Sequence, residues 1–192
     1  MNVSAQHSRD LEPIQLGRGE LELEIFLEPT CPFSKRAFAK LQPLLSAVGE
    51  NELTINIRFL SQPWHLFSAV VTRCILAATA TAGGQEAGLK VINTVFQNRE
   101  DFVCQDHCAG PNLKRSPADI VSHICQLSGI DLSEAFELDS VTRAVKWHTK
   151  YCRQNGVHSS PSFAINGLVI DAMGSGQSIE EWAQLLGLNI KA

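Results

Sequence analysis

Residues 28–38 read Glu-Pro-Thr-Cys-Pro-Phe-Ser-Lys-Arg-Ala-Phe, EPTCPFSKRAF. A single cysteine, Cys31, stands between a hydrophobic run and the start of a helical pattern, with Ser34 three residues on. Two cysteines at that spacing would suggest a redox pair, but a serine hydroxyl cannot close a disulfide. Upstream, Leu21 to Phe26 alternates and then turns apolar, which predicts a strand ended by Pro29. Pro32 sits where the first turn of a helix tolerates a missing N–H. Phe33, Ala37, Leu41, Leu44, Leu45 and Val48 then recur at helical spacing, and Gly49 is the expected terminator. Pro43 inside that run predicts a kink or a break.

Further along, Leu53 to Leu60 (LTINIRFL) alternates and is rich in β-branched residues, which predicts a second strand. Strand, helix, strand in that order predicts a parallel βαβ unit. Cys31 would then stand at the carboxyl edge of its first strand, where open α/β sheets place their chemistry. From Gln62 to Leu138 the pattern changes. Leu66–Ala82, Ala87–Gln97 and Pro117–Leu127 read as helices, and no strand signature interrupts them. Ser140–Asn155 predicts another helix, with Val141, Val145, His148 and Cys152 near one face. Asn166-Gly167 between two short apolar runs predicts a hairpin with a type I′ turn. Ser178 with Glu181 is a capping box that opens a short final helix. The expected fold is α/β, with a central mixed sheet built from residues 21–61 and 139–192. A helical insertion spans 62–138 and an N-terminal extension spans 1–20.

Composition narrows the function. The 192 residues are 44% apolar and 19% charged, with 16 basic and 20 acidic residues and a net charge of -4. No basic tract or stripe argues for a nucleic-acid partner. No run is long and apolar enough to span a bilayer, and the first residues lack the apolar core of a secretory signal, so a cytoplasmic location is expected. The six cysteines are Cys31, Cys74, Cys104, Cys108, Cys125 and Cys152. In a reducing compartment such thiols are ordinary. Cys74 and Cys152 sit on apolar helix faces and read as buried. Cys104, His107 and Cys108, read at helical spacing with His123 and Cys125 beyond, are too scattered for the four-ligand geometry of zinc, and no metal is expected. Residues 173–176 read as a link to the Ser178 cap, His148 as a core histidine, and Trp147 and Trp182 as anchors.

Two places carry chemistry. At a helix start, orphan backbone N–H groups and the helix field favour a thiolate on Cys31. Ser34 is expected to offer its hydroxyl to the same sulfur. Far along the chain, Ser159-Ser160-Pro161-Ser162 puts a proline directly before the hairpin strand. A cis bond at Pro161 would leave the Ser160 backbone open to an extended peptide or to glutathione. Trp64 and His65, just after the second strand, are placed to line the same groove.

Together, Cys-Pro-Phe-Ser at a helix start, a helical block, and Ser-Pro before an Asn-Gly hairpin resemble the thioredoxin-like fold with a helical insertion. Within that fold the pattern is similar to the Dsb-type thiol–disulfide oxidoreductase family. The resemblance implies that Cys31 is the nucleophile and that Pro32 and Phe33 form the dipeptide between the motif positions. It puts Ser34 in place of the resolving cysteine, Pro161 on the family's cis-proline, and Ser160 where backbone meets substrate. Ser34 is the departure. It implies a monothiol protein, similar in chemistry to monothiol glutaredoxins, that forms a mixed disulfide with a thiol-containing protein or with glutathione. An external thiol would then resolve that disulfide. No tightly bound cofactor is implied, and a homodimer is compatible. Two alternatives stay open. One is a glutathione-dependent transferase or isomerase resembling the kappa-class transferases and chromene-carboxylate isomerases, which keep a serine near the Cys31 position. The other is a non-catalytic binding domain.

Overall fold

The two longest strands make the middle of the sheet. The structure, a computed structural model, describes residue 11 and residues 14–191. Strand β2 (Leu21–Leu27) runs parallel to β3 (Leu53–Phe59), in register from Leu21 opposite Leu53 to Leu27 opposite Phe59. On the other side of β2 lies the antiparallel hairpin of β4 (Ser162–Ile165) and β5 (Leu168–Val169). Asn166 and Gly167 turn it with φ of 48° and 81°, the left-handed pair that a type I′ turn requires.

The opposite edge holds a strand that the sequence did not announce. Strand β1 (Ile14–Gly17) pairs antiparallel with β3, giving the order β1-β3-β2-β4-β5. It falls within the expected N-terminal extension; residues 1–10, 12 and 13 of that stretch lie outside the described residues. Four residues, IQLG, are too few to show a period. What holds them is tertiary. Ile14 is buried, and Gln15 exchanges two hydrogen bonds with Gln85 of the insertion, of 2.8 and 2.7 Å.

Strand β3 reads as alternating, yet its polar residues are covered as well. Thr54 Oγ1 donates to the Gly19 carbonyl at 2.7 Å, and Arg58 Nε lies 2.6 Å from Glu24 Oε1. The cover comes from α7 (Asp139–Gln154), whose Tyr151 hydroxyl donates to Glu24 Oε2 at 2.7 Å. Trp147, expected as an anchor, stands 44% exposed and stacks on Tyr151 at 4.8 Å. Trp182, by contrast, is buried.

The helix after Cys31 breaks in two, α1 (Pro32–Phe38) and α2 (Leu41–Val48). The break falls at Ala39–Lys40, upstream of Pro43. Having no N–H, Pro43 cannot bond the carbonyl of Ala39, so the ladder stops there and Pro43 sits in the first turn of α2. The insertion contains α3 (Ser68–Thr79), α4 (Gly84–Gln97), α5 (Pro117–Ser128) and α6 (Ser133–Phe136). Cys104 and Cys108 are not on a helix. Cys104 precedes, and Cys108 lies within, a tight turn closed by a Gln105–Ala109 bridge, in which Asp106 and His107 take φ of 46° and 67°. Helix α8 (Ile179–Leu185) starts at the Ser178–Glu181 capping box.

Ile25 lies on β2 with Ile57 on one side, Phe163 on the other, and no exposed surface. Ile25→Ala leaves a cavity that the flanking strands cannot close. Urea denaturation should register a loss of about 2–5 kcal/mol.

Candidate active site

Strand β2 delivers its last buried residue, Leu27, and the chain turns through Glu28-Pro29-Thr30 into α1. Cys31 caps the helix with extended backbone, φ -77° and ψ 130°. Its N–H donates to the Glu28 carbonyl at 3.1 Å, and its own carbonyl accepts from the Lys35 N–H at 3.0 Å. The sulfur is nearly enclosed and lies 3.6 Å from the carbonyl of Ser160. The Ser160–Pro161 peptide bond is cis. The sheet therefore joins two segments 129 residues apart, because β2, which feeds Cys31, and β4, which follows Pro161, are neighbours.

Ser34 behaves differently from expectation. It is fully buried, and its hydroxyl oxygen accepts the Glu28 N–H at 3.1 Å. Its role here is to hold the turn. Pro32 and Phe33 face outward, Phe33 with 52% of its surface exposed and the Arg36 guanidinium 5.7 Å from its ring centre. Trp64 and Leu66 are comparably exposed, at 52% and 53%.

Between Trp64 and Leu66, His65 turns inward, and here the structure adds residues that sequence reasoning missed. Glu28 has no exposed surface. Its carboxylate accepts the Thr30 N–H at 3.0 Å and lies 3.0 and 2.9 Å from the Thr30 hydroxyl. That hydroxyl also lies 3.0 Å from His65 Nδ1, while His65 Nδ1 and Glu28 Oε2 are 3.6 Å apart. Arg99 Nε donates to the Thr30 carbonyl at 2.6 Å. The buried Ser68 hydroxyl makes no hydrogen bond of standard geometry but is near enough to favour the charged carboxylate.

Burial dominates the titration of both groups. It raises Glu28 from the ordinary 4.5 to about 7, against the nearby Ser68 hydroxyl, the hydrogen bonds from Thr30 and the charge of Arg99. It lowers His65 from 6.5 to about 4, helped by His107 and Arg99. At neutral pH His65 is uncharged and Glu28 is partly protonated, so the two form a hydrogen-bonded relay through Thr30, not an ion pair. A glutamate followed by proline at a strand end reads as a turn residue, and only the fold above it reveals the burial.

A cleft of about 240 Å³ opens on the outer side of His65, lined among others by Trp64, Arg99, Val103, Cys104 and His107. The His65 and His107 rings meet edge to face at 5.4 Å. The remaining sulfurs differ. Burial pushes Cys74 up to about 12 and Cys152 to about 11, and Cys152 donates to the Phe59 carbonyl at 3.3 Å. His148 is buried and lowered to about 3, its Nδ1 accepting the Phe59 N–H. His123 pairs with Asp101 at 2.8 Å. Among the described residues no group of three or more His, Cys, Asp or Glu side chains is placed to hold a metal ion. The glycines near Met173 serve the link to α8, with the Gly174 N–H on Gln177 and its carbonyl on Trp182.

Glu28 carries a testable stability signature. Because its folded pKa lies above the ordinary carboxylate value, the folded state prefers the proton. Stability from this group is full below about 4.5 and is lost as pH rises through about 7. The histidine acts in the opposite sense, losing stability as pH falls from 6.5 towards 4. Glu28→Gln should therefore gain stability relative to the unaltered chain across pH 4.5–7. Denaturant melts at several pH values should show that gain growing by up to about 3 kcal/mol and then levelling.

No protein-family model matches the chain, and no curated protein does. Solved structures do. A candidate protein-disulfide isomerase from Pseudomonas syringae is 49% identical, with 92% of this chain and 98% of that one covered and a TM-score of 0.90. A thioredoxin-like oxidoreductase from Silicibacter pomeroyi shares the fold at 19% identity, covering 90% of this chain and 88% of that one, with a TM-score of 0.64. DsbA2 from Pseudomonas aeruginosa does so at 14% identity, covering 90% and 91%, with a TM-score of 0.62. With near-full-length identity of this level, the chain belongs to the same family of thioredoxin-like thiol–disulfide oxidoreductases as the Pseudomonas syringae protein, and it shares its fold with the Dsb-type structure.

Proposed function

We propose that this protein exchanges disulfides through one motif thiol, Cys31, forming a mixed disulfide with a thiol-containing protein or with glutathione. The observation that carries this reading is the meeting of the Cys31 sulfur, at a helix start, with the Ser160 carbonyl at 3.6 Å, while Ser34 leaves the motif without a second thiol. The Cys31 thiolate attacks one sulfur of a substrate disulfide. A Cys31–S–S–R bond forms, the substrate S–S bond breaks, and the other half leaves as a thiolate that takes a proton from water. An extended substrate segment can pair with the backbone beside Pro161, as an added strand pairs with a sheet edge. Exposed Phe33, two residues after Cys31, and exposed Trp64 and Leu66, on either side of His65, offer apolar contact to a substrate. Six free thiols fit a reducing, cytoplasmic setting in which glutathione is plentiful.

Incubation with oxidised glutathione, read by mass spectrometry of peptides, tests this directly. The adduct should form first on Cys31, be absent from Cys31→Ser, and spare buried Cys74 and Cys152. Glutathione that binds without an adduct on Cys31 would overturn the reading in favour of a transferase or a binding domain. Ser34→Cys supplies the missing thiol within the motif, and release of glutathione from its Cys31 adduct should be at least about tenfold faster.

A further inference from the structure

We propose that Cys104 of the helical insertion is the resolving thiol that Ser34 is not. The inference rests on the Cys31 chemistry proposed above and extends it. The insertion is fastened to the reactive turn at Thr30, the residue before Cys31. Arg99, five residues before Cys104, donates to the Thr30 carbonyl at 2.6 Å, and His65, just past β3, meets the Thr30 hydroxyl at 3.0 Å. His65 and Arg99, which hold Thr30, are also walls of one cleft on that side of the turn, and Cys104 lines the same cleft.

The other thiols fall away on physical grounds. Cys74 and Cys152 have no exposed surface, and burial keeps both in the thiol form. Cys125 lies on α5 and opens into a different groove, among Val121, Ser122 and Phe136. Cys108 is exposed but does not line the cleft that Cys104 shares with His65. Cys104 is half-buried on the cleft wall. The turn that follows it holds Asp106 and His107 in left-handed backbone, with φ of 46° and 67°. Non-glycine residues persist in that conformation only where their surroundings enforce it. Here the Gln105–Ala109 bridge does so, and His107 comes to face His65.

The step balances without further reagents. The Cys104 thiolate, its proton given to water, attacks the Cys31 sulfur of Cys31–S–S–R. A Cys31–Cys104 bond forms, the bond to R breaks, and R–S⁻ leaves and is protonated. R is reduced to its thiol while Cys104 is oxidised, and an outside thiol later reopens the internal disulfide.

The test follows the Cys31 adduct after a pulse of oxidised glutathione on the full chain, with acid quenching, in the unaltered protein and in Cys104→Ser and Cys104→Ala. A parallel Cys108→Ser protein identifies the cysteine in the linked peptide, because Cys104 and Cys108 share the tryptic peptide Glu100–Lys114. The expected result is a transient adduct that gives way to Gly19–Lys35 disulfide-linked to Glu100–Lys114, and an adduct that lasts at least about tenfold longer in both Cys104 variants. Equal adduct lifetimes with no linked peptide would overturn the assignment of Cys104 while leaving the Cys31 chemistry standing. No adduct on Cys31 in any of the proteins would overturn both.

Discussion

The site depends on how Thr30 is held. Its N–H and hydroxyl engage a carboxylate with no access to water, its carbonyl takes the Arg99 guanidinium, and the same hydroxyl meets His65. One residue therefore ties the end of β2, the loop after β3 and the exit from α4 into a single corner. Buried polar groups are tolerated only when they are satisfied, and a partly satisfied network costs more than none. Each of these elements must be in place before the turn that carries Cys31 has its shape. Cys31 inherits its position from that corner and from Ser34, whose hydroxyl receives the N–H of the buried glutamate itself.

This arrangement fits the proposed chemistry of a single motif thiol. Ser34 accepts the hydrogen bond that closes the turn, and it places no second thiol within the helix. The Cys31 sulfur then meets a carbonyl from the opposite segment, and the cleft beyond His65 is walled in part by the insertion. The helical insertion is accordingly part of the site as well as a cover for the sheet. Arg99 and His107 come from it, and both help keep His65 neutral at ordinary pH.

Much of this was legible from the residues alone. The βαβ unit, the hairpin at Asn166-Gly167, the capping box at Ser178 and the position of Cys31 at a helix start all rest on local rules. Missing N–H groups, left-handed turns and short-range capping act within a few residues, and so they are written in the order of the chain. The break near Pro43 was also legible, although its exact place followed from the carbonyl that proline cannot satisfy, four residues earlier. Strand β1 was not, because four residues carry no period and its partners are β3 and Gln85. Trp147 was misjudged for a related reason: helical spacing places it beside the apolar stripe, but Arg58 and Tyr151 provide a surface on which it stacks half in water.

The amino-acid sequence thus determined most of the elements, their order and the place of Cys31 at a helix start. Tertiary structure decided everything that depends on distance across the chain. It put the Ser160 carbonyl against Cys31, turned the Ser34 hydroxyl away from the role expected of it, buried Glu28, and brought Cys104 to the cleft wall. Burial is the physical reason. A carboxyl at a strand end has an ordinary affinity for protons until other elements exclude water from it, and no local pattern records which elements those will be.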